Sequence, residues 1–129
     1  MAKTILITGA SSGLGAGMAR EFAAKGYNLA LCARRLERLE VLQQELQRQF
    51  SIQVGIKTLD VTHYDDVFTV FKAFQQEFGT IDRIIVNAGV GEGRRIGKGH
   101  FDVNRATAET NFISALAQCE AAVEIFRAQ

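Results

Sequence analysis

The chain has 129 residues, 47% of them hydrophobic and 22% charged, and a formal net charge of +1. This length is enough for one globular domain, and the near-neutral charge excludes a strong electrostatic attraction to nucleic acid or to an anionic membrane. No apolar run approaches the ~18 residues of a membrane-spanning helix, and no signal peptide precedes the first apolar segment. We therefore expect a cytoplasmic protein whose partners include neither nucleic acid nor membrane.

The cysteines and histidines favour neither a disulfide nor a metal site. Cys32 and Cys119 have no CxxC partner, which is typical of reduced thiols in a cytosolic protein. His63 and His100 stand alone, without the spacing of metal ligands. We therefore expect no bound metal.

Short apolar runs alternate with amphipathic stretches along the whole sequence. The apolar runs predict strands at residues 3–8, 27–33, 53–59 and 81–87. The amphipathic stretches predict helices at about 14–25, 36–46, 67–78 and 103–127. The first helix shows a four-residue repeat of Leu14, Met18 and Phe22, and the last contains Phe112, Leu116, Val123 and Phe126. The order βαβαβαβα predicts a parallel sheet with right-handed crossovers and helices on both faces.

A glycine-rich turn, Thr8-Gly9-Ala10-Ser11-Ser12-Gly13-Leu14-Gly15, lies between the first strand and the first helix. Free amides at a helix N-terminus bind anions such as a pyrophosphate, and glycines let the backbone approach the phosphates closely. The spacing is GxxxGxG and lacks the GK[ST] of a P-loop, which disfavours a nucleoside triphosphatase. A strand-to-helix turn without a ligand is the alternative.

Three motifs in register resemble those of the short-chain dehydrogenase/reductase family. The turn TGASSGLG resembles its TGxxxGxG cofactor motif, Asn87-Ala88-Gly89 its NAG motif, and Asp60-Val61 the acidic pair after its third strand. The resemblance covers essentially the whole chain. It implies an α/β fold with a Rossmann-type doubly wound parallel sheet. It also implies an oxidoreductase that transfers a hydride between a nicotinamide cofactor and a carbonyl or alcohol substrate.

The resemblance also implies a role for each matching residue. Asp60 would accept a hydrogen bond from the adenine amino group, although an aspartate in a turn before a helix is the alternative. Asn87 would tie the central strands together, and Gly89 would leave room for the ligand. The expected cofactor-binding residues are Gly9, Ser11, Ser12, Gly13, Leu14, Gly15, Arg34, Arg35, Asp60, Val61, Asn87, Ala88 and Gly89.

The end of the second strand favours NADP(H) over NAD(H). An NAD-specific site places a carboxylate there to bind the ribose 2′-hydroxyl. Here Ala33 takes the acidic position, and Arg34 and Arg35 follow it. A carboxylate would repel a 2′-phosphate, whereas a guanidinium binds it through charge-assisted hydrogen bonds. Two solvated surface arginines are the alternative.

One catalytic residue of the family has a match in this chain. Asn111 matches the asparagine that holds a proton-relay water, and a structural asparagine bonded to the backbone is the alternative. Tyr27 and Tyr64 are followed four residues later by Leu31 and Phe68, and so the family's YxxxK is absent.

From this pattern we expect an N-terminal part of a protein about twice as long. Residues 1–129 would form its NADP(H)-binding domain, truncated before a fifth strand and inactive alone. The last helix resembles the family's dimer-forming helix, which implies a homodimer or homotetramer. A non-catalytic dinucleotide-binding module and a structural protein without a ligand are the alternatives. Residues 91–99 are basic and glycine-rich, which favours a mobile, solvated loop. The alternative is that this loop borders the substrate site.

Overall fold

The computed structural model describes residues 2–129, and the predicted order of strands and helices is confirmed. The strands are β1 (Thr4–Thr8), β2 (Asn28–Ala33), β3 (Val54–Thr58) and β4 (Arg83–Ile85). The helices between them are α1 (Gly13–Ala24), α2 (Leu36–Gln49) and α3 (Tyr64–Phe78). After β4 come α4 (Phe101–Ala108), a π-helical turn (Glu109–Ile113) and α5 (Ser114–Ala128). In the described part of the chain, no helix has both the length and the apolar character to span a bilayer.

The four strands form one parallel sheet in the order β3-β2-β1-β4. Leu6 of β1 lies between Ala30 of β2 and Ile84 of β4, which fixes the register in the centre of the sheet. The chain runs outward from β1 to β3 and then crosses to the other side of β1. This reversal opens a crevice at the carboxyl ends of β1 and β4, the usual place for a ligand in such sheets.

Two apolar cores cover the two faces of the sheet. On one face, Leu39, Leu42 and Leu46 of α2 pack with α1 against alternate strand residues. On the other, Phe71 and Phe74 of α3 pack with α5. Because both faces are buried, the strands read as continuous apolar runs instead of alternating ones.

Helix α1 packs on the sheet through small residues. Ala16, Ala19 and Ala23 are buried, whereas Leu14 is 80% exposed. The repeat of Leu14, Met18 and Phe22 therefore identifies the helix but not its most buried face. Small side chains allow the backbone of α1 to approach the sheet closely.

The segment predicted as one helix at residues 103–127 starts at Phe101 and contains a π-helical turn. The Ser114 amide donates to the Glu109 carbonyl, five residues earlier. The Thr110 carbonyl, left without its usual amide, accepts a hydrogen bond from the Ser114 hydroxyl. The buried face of α5 comprises Ser114, Gln118, Ala121, Ala122 and Ile125, and the predicted apolar residues Phe112, Leu116, Val123 and Phe126 are exposed.

Both cysteines are free in the structure. Burial raises the pKa of the Cys32 thiol to about 12, and so this thiol stays protonated at neutral pH. Cys119 lies exposed on α5.

The packing of α2 gives a first prediction. Replacing the buried Leu46 by alanine removes apolar contacts and leaves a cavity, and we expect a loss of about 2–5 kcal/mol in the free energy of unfolding. Val41 on the same helix is 67% exposed, and Val41→Ala should change this free energy by less than about 0.5 kcal/mol. Urea unfolding followed by circular dichroism measures both. Equal losses for the two variants would contradict this packing of α2.

Candidate functional site

A cleft of about 640 Å³ opens at the carboxyl edge of the sheet, where the strand order reverses. This volume lies within the ~300–1,000 Å³ common for small-molecule sites. The loops after all four strands contribute to its wall. Of the predicted cofactor residues, only Gly15 does not line the cleft, whose lining includes Gly9, Ser11, Ser12, Gly13, Leu14, Arg34, Arg35, Asp60, Val61, Asn87, Ala88 and Gly89.

The turn after β1 presents free backbone amides to the cleft. The Ala10 amide is occupied, because it donates to the Cys32 carbonyl at 3.2 Å. The next four amides, those of residues 11–14, donate to no acceptor within residues 2–129. Ser12, which precedes the first residue of α1, makes no side-chain capping bond either. These donors and the positive end of the α1 dipole favour an anion here.

Two of the motif glycines are required by close packing within the protein. Gly9 has φ +64°, and a Cβ there would lie 2.8 Å from the Cα of Ala88. A Cβ at Gly15 would lie 2.2 Å from the Gly9 carbonyl oxygen. Gly15 therefore lets α1 approach the turn, which explains why it belongs to the motif without lining the cleft.

Thr8 and Asn87 join the loops that follow β1 and β4. The buried Thr8 hydroxyl oxygen accepts hydrogen bonds from the amides of Asn87 (3.0 Å) and Ala88 (3.1 Å). The Asn87 side-chain amide donates to the carbonyls of Thr8 and Gly9, each at 3.2 Å. The tie between strands was predicted for Asn87, whereas no role was predicted for Thr8. The position of Thr8 directly before the first motif glycine is the sequence feature that could have indicated this role.

The end of the cleft beside β2 is positively charged. Ala33 is the last residue of β2 and is buried, and Arg34 and Arg35 are exposed and line the cleft. In the part of the chain that the structure describes, neither arginine forms an ion pair with a carboxylate. Both guanidinium groups are therefore available to a ligand.

Asp60 lies at the same end, after β3, and takes part in a local turn. Its Oδ1 accepts hydrogen bonds from the Thr62 amide at 3.0 Å and the Thr62 hydroxyl at 2.6 Å. Burial is the largest single influence and raises the pKa of Asp60. The Thr62 hydrogen bonds and the charges of His63 and Arg34 together outweigh it, and the pKa lies below its usual value. The turn role that the sequence left open is present, and contact with adenine stays a prediction.

Asn111 lies in the π-helical turn and does not line the cleft. Its Oδ1 accepts a hydrogen bond from the Val90 amide at 2.8 Å, and its Nδ2 donates to the Val90 carbonyl at 2.7 Å. The backbone-bonding alternative from the sequence is therefore what the structure shows, and the catalytic role stays a prediction. A Cβ at Gly89 would lie 2.9 Å from the Asn111 Oδ1, and so Gly89 makes room for this side chain.

Four further residues, none of them predicted, line the cleft at the end beside β4. They were not predicted, because the spacing of the helical stretch after β4 does not show which of its faces lies near the NAG motif. These residues are Val90, Ala106, Glu109 and Thr110.

A protein-family model described as short chain dehydrogenase matches residues 3–129. The chain belongs to the short-chain dehydrogenase family. Among curated members, it is similar to an uncharacterised oxidoreductase of Mycobacterium tuberculosis, with 54% identity over 123 residues. That match covers 95% of this chain and 49% of the relative. The chain thus spans about half the length of the curated relative.

Solved structures of the family have the same fold. An alcohol dehydrogenase from Thermococcus sibiricus complexed with 5-hydroxy-NADP superimposes with a TM-score of 0.91 and 32% identity, covering 96% of this chain and 53% of that one. The NADPH-dependent 3-quinuclidinone reductase from Rhodotorula rubra gives a TM-score of 0.89 and 29% identity, covering 98% and 48%. The Rossmann-type doubly wound sheet is therefore confirmed.

The hydroxyl of Thr8 gives a second prediction. Thr8→Val keeps the shape but leaves two partly buried amides without an acceptor, and we expect a loss of about 1–3 kcal/mol in the free energy of unfolding. Thr8→Ser keeps the hydroxyl and serves as the control. Amide hydrogen exchange at Asn87 and Ala88 should accelerate in Thr8→Val and stay close to wild type in Thr8→Ser. Unchanged exchange in Thr8→Val would show that this hydroxyl does not hold the two loops together.

The lowered pKa of Asp60 gives a third prediction. A carboxyl whose pKa is lower in the folded state stabilises the protein above its unfolded pKa of about 3.9, and this contribution disappears as the pH falls through the folded pKa. Wild type should therefore exceed Asp60→Asn in stability near pH 7, and the two should converge on acidification. Urea unfolding at a series of pH values measures the difference. A gap that stays constant with pH would rule out the lowered pKa.

Proposed function

We propose that the chain is the NADP(H)-binding part of an oxidoreductase that transfers a hydride between the nicotinamide and a carbonyl or alcohol substrate. One observation carries this proposal. The free amides at the start of α1 and the unpaired guanidinium of Arg34 line the same cleft, beside an alanine where an NAD site would have a carboxylate. NADP(H) carries a pyrophosphate, which matches the free amides, and a ribose 2′-phosphate, which matches Arg34.

The strand order supports one orientation for the cofactor. Arg34 follows β2, the free amides follow β1, and Val90 follows β4, and these strands are neighbours in that order. A dinucleotide lying across the three strand ends would place its adenosine beside Arg34 and its pyrophosphate against the turn after β1. Its nicotinamide would then reach the Val90 end. Asp60, whose Oδ1 already bonds Thr62, would offer its other oxygen to the adenine amino group.

The chemistry depends on groups beyond those in this chain. When bound, the nicotinamide supplies the hydride or accepts it. Asn111 would contribute by holding the Val90 peptide, and one Oδ1 lone pair and one Nδ2 hydrogen remain for a water. No tyrosine here is followed by a lysine four residues later, and we propose that the rest of a longer protein supplies this pair. A non-catalytic dinucleotide-binding module is the second candidate, because the cleft alone would suffice for it.

We further propose that the whole protein forms a homodimer or homotetramer through its last helix. The exposed apolar residues there support this proposal, because large apolar side chains in contiguous patches mark association surfaces. They are Phe112, Leu116, Val123 and Phe126.

Cofactor titration tests the proposal through nicotinamide fluorescence. We expect wild type to bind NADPH more tightly than NADH. Arg34→Asp should weaken NADPH binding at least about tenfold, because it removes a charge-assisted hydrogen bond and introduces repulsion. The same variant should change NADH binding less than about threefold. Arg38→Asp on α2 makes the same charge change outside this cleft and should leave NADPH binding near wild type.

Three outcomes would contradict the proposal at different levels. Equal wild-type affinity for NADPH and NADH would remove the preference assigned to Arg34. Equal weakening by Arg34→Asp and Arg38→Asp would mean that only net charge matters. Failure of wild type to bind either cofactor would reject the dinucleotide site itself.

A further inference from the structure

The segment Val90–Arg94 is fastened along the helical stretch after it by three polar side chains. Asn111 makes two hydrogen bonds with the Val90 backbone, at 2.8 and 2.7 Å. The Thr107 hydroxyl donates to the Glu92 carbonyl at 2.5 Å. Asn104 accepts from the Arg94 amide at 2.8 Å and donates to the Arg94 carbonyl at 3.1 Å. We call this set of contacts the clasp.

The clasp pairs one face of the helical stretch with alternate residues of the segment. Asn104, Thr107 and Asn111 are three and four residues apart, a spacing that places them on one helical face. Their partners are alternate residues of the segment, and the bonded backbone groups of Val90, Glu92 and Arg94 therefore face the helical stretch. A Cβ at the intervening Gly91 or Gly93 would meet nothing within 4 Å. The sequence favoured a mobile, solvated loop at residues 91–99, whereas the structure shows its first residues held.

The clasp lies directly behind the wall of the cleft at the end beside β4. Val90 at one end of the segment lines the cleft, and so do Ala106 and Thr110 on the helical stretch. Ala106 lies between Asn104 and Thr107, and Thr110 adjoins Asn111. Side chains that fix the segment against this face therefore also fix the position of the Val90 wall.

The clasp is the main attachment of an otherwise open segment. Residues 91–95 are exposed, and among the described residues they contribute no side chain to either apolar core. Each hydrogen bond at such a site adds little net stability on its own. A segment held in this way opens locally without unfolding the domain.

We propose that Asn104 and Thr107 are positioning residues that hold the segment Val90–Arg94 and thereby fix Val90, which lines the nicotinamide end of the cleft. This rests on the proposed function for the nature of the ligand, but the clasp itself does not. Neither residue touches the bound cofactor in this proposal, since neither lines the cleft. Both act through the backbone that they hold.

Limited proteolysis tests the clasp without any cofactor. Trypsin cleaves after Arg94 at the end of the segment and after Arg95 next to it, both of which are exposed. Cleavage there requires the segment to leave the helical stretch. Asn104→Ala and Thr107→Val should each accelerate cleavage there about two- to tenfold, the range for loss of one or two weak hydrogen bonds. Thr107→Ser keeps the hydroxyl and should restore the wild-type rate. Cleavage unchanged in both Asn104→Ala and Thr107→Val overturns the proposal.

Two ligands test the positioning role. NADPH and 2′-phosphoadenosine diphosphate ribose, which lacks nicotinamide, share the groups that contact Arg34 and the turn after β1. We expect Asn104→Ala and Thr107→Val to weaken NADPH about two- to tenfold and to leave the nicotinamide-free ligand within about twofold of wild type. Thr107→Ser should restore NADPH binding. Equal weakening of both ligands indicates a general structural role and overturns the proposal.

The two experiments separate this inference from the proposed function. If wild type binds neither ligand, the proposed function fails, and the proteolysis result alone decides whether the clasp holds the segment. If wild type binds NADPH and the variants bind it equally well, the positioning role fails while the proposed function stands. Circular dichroism of each variant shows that the domain is folded before either comparison is made.

Discussion

The site depends on the hydrogen bonds that join the ends of β1 and β4. After these two strands the chain departs toward opposite faces of the sheet, which opens the crevice and also separates its walls. The Thr8 hydroxyl and the Asn87 side-chain amide together make four hydrogen bonds across this gap. They leave the amides of residues 11–14 free of internal partners, so that the same turn is rigid and still able to bind an anion.

The turn after β1 also depends on backbone contacts that leave no room for side chains. Gly9 approaches Ala88, and Gly15 approaches Gly9, at distances that no side chain would allow. The alanines of α1 continue this close approach along the sheet. The first helix therefore directs its N-terminus at the crevice because of the small residues on its inner face, and the larger Leu14 is left at the cleft.

The fold was largely predictable because buried parallel strands and amphipathic helices differ in their periodicity. The positions of the turn after β1, Arg34 and the NAG motif were predictable as well, since each comes directly after a strand. Contacts between distant segments were not. Thr8 with Asn87, Asn104 with Arg94, and the cleft residue Glu109 are placed by tertiary packing, which no local pattern in one sequence reveals. The asparagine at position 111 was noticed, but its two bonds to Val90 were not.

The π-helical turn at Glu109–Ile113 has a consequence for how the chain can vary. Closing a helical ring over five residues instead of four rotates the downstream residues by about 100° relative to an uninterrupted helix. Before the π-helical turn, Asn104 and Thr107 bond the segment behind the cleft wall. After it, Gln118 and Ile125 lie on the buried face of α5. Because the turn takes up one extra residue, removing a single residue from it would give an uninterrupted helix with both sets of side chains facing as before. Restoring α-helical hydrogen bonds at the present length would instead turn one set of side chains away. At its present length, this stretch therefore presents one face to the cleft wall and another to the sheet only while the wide turn persists.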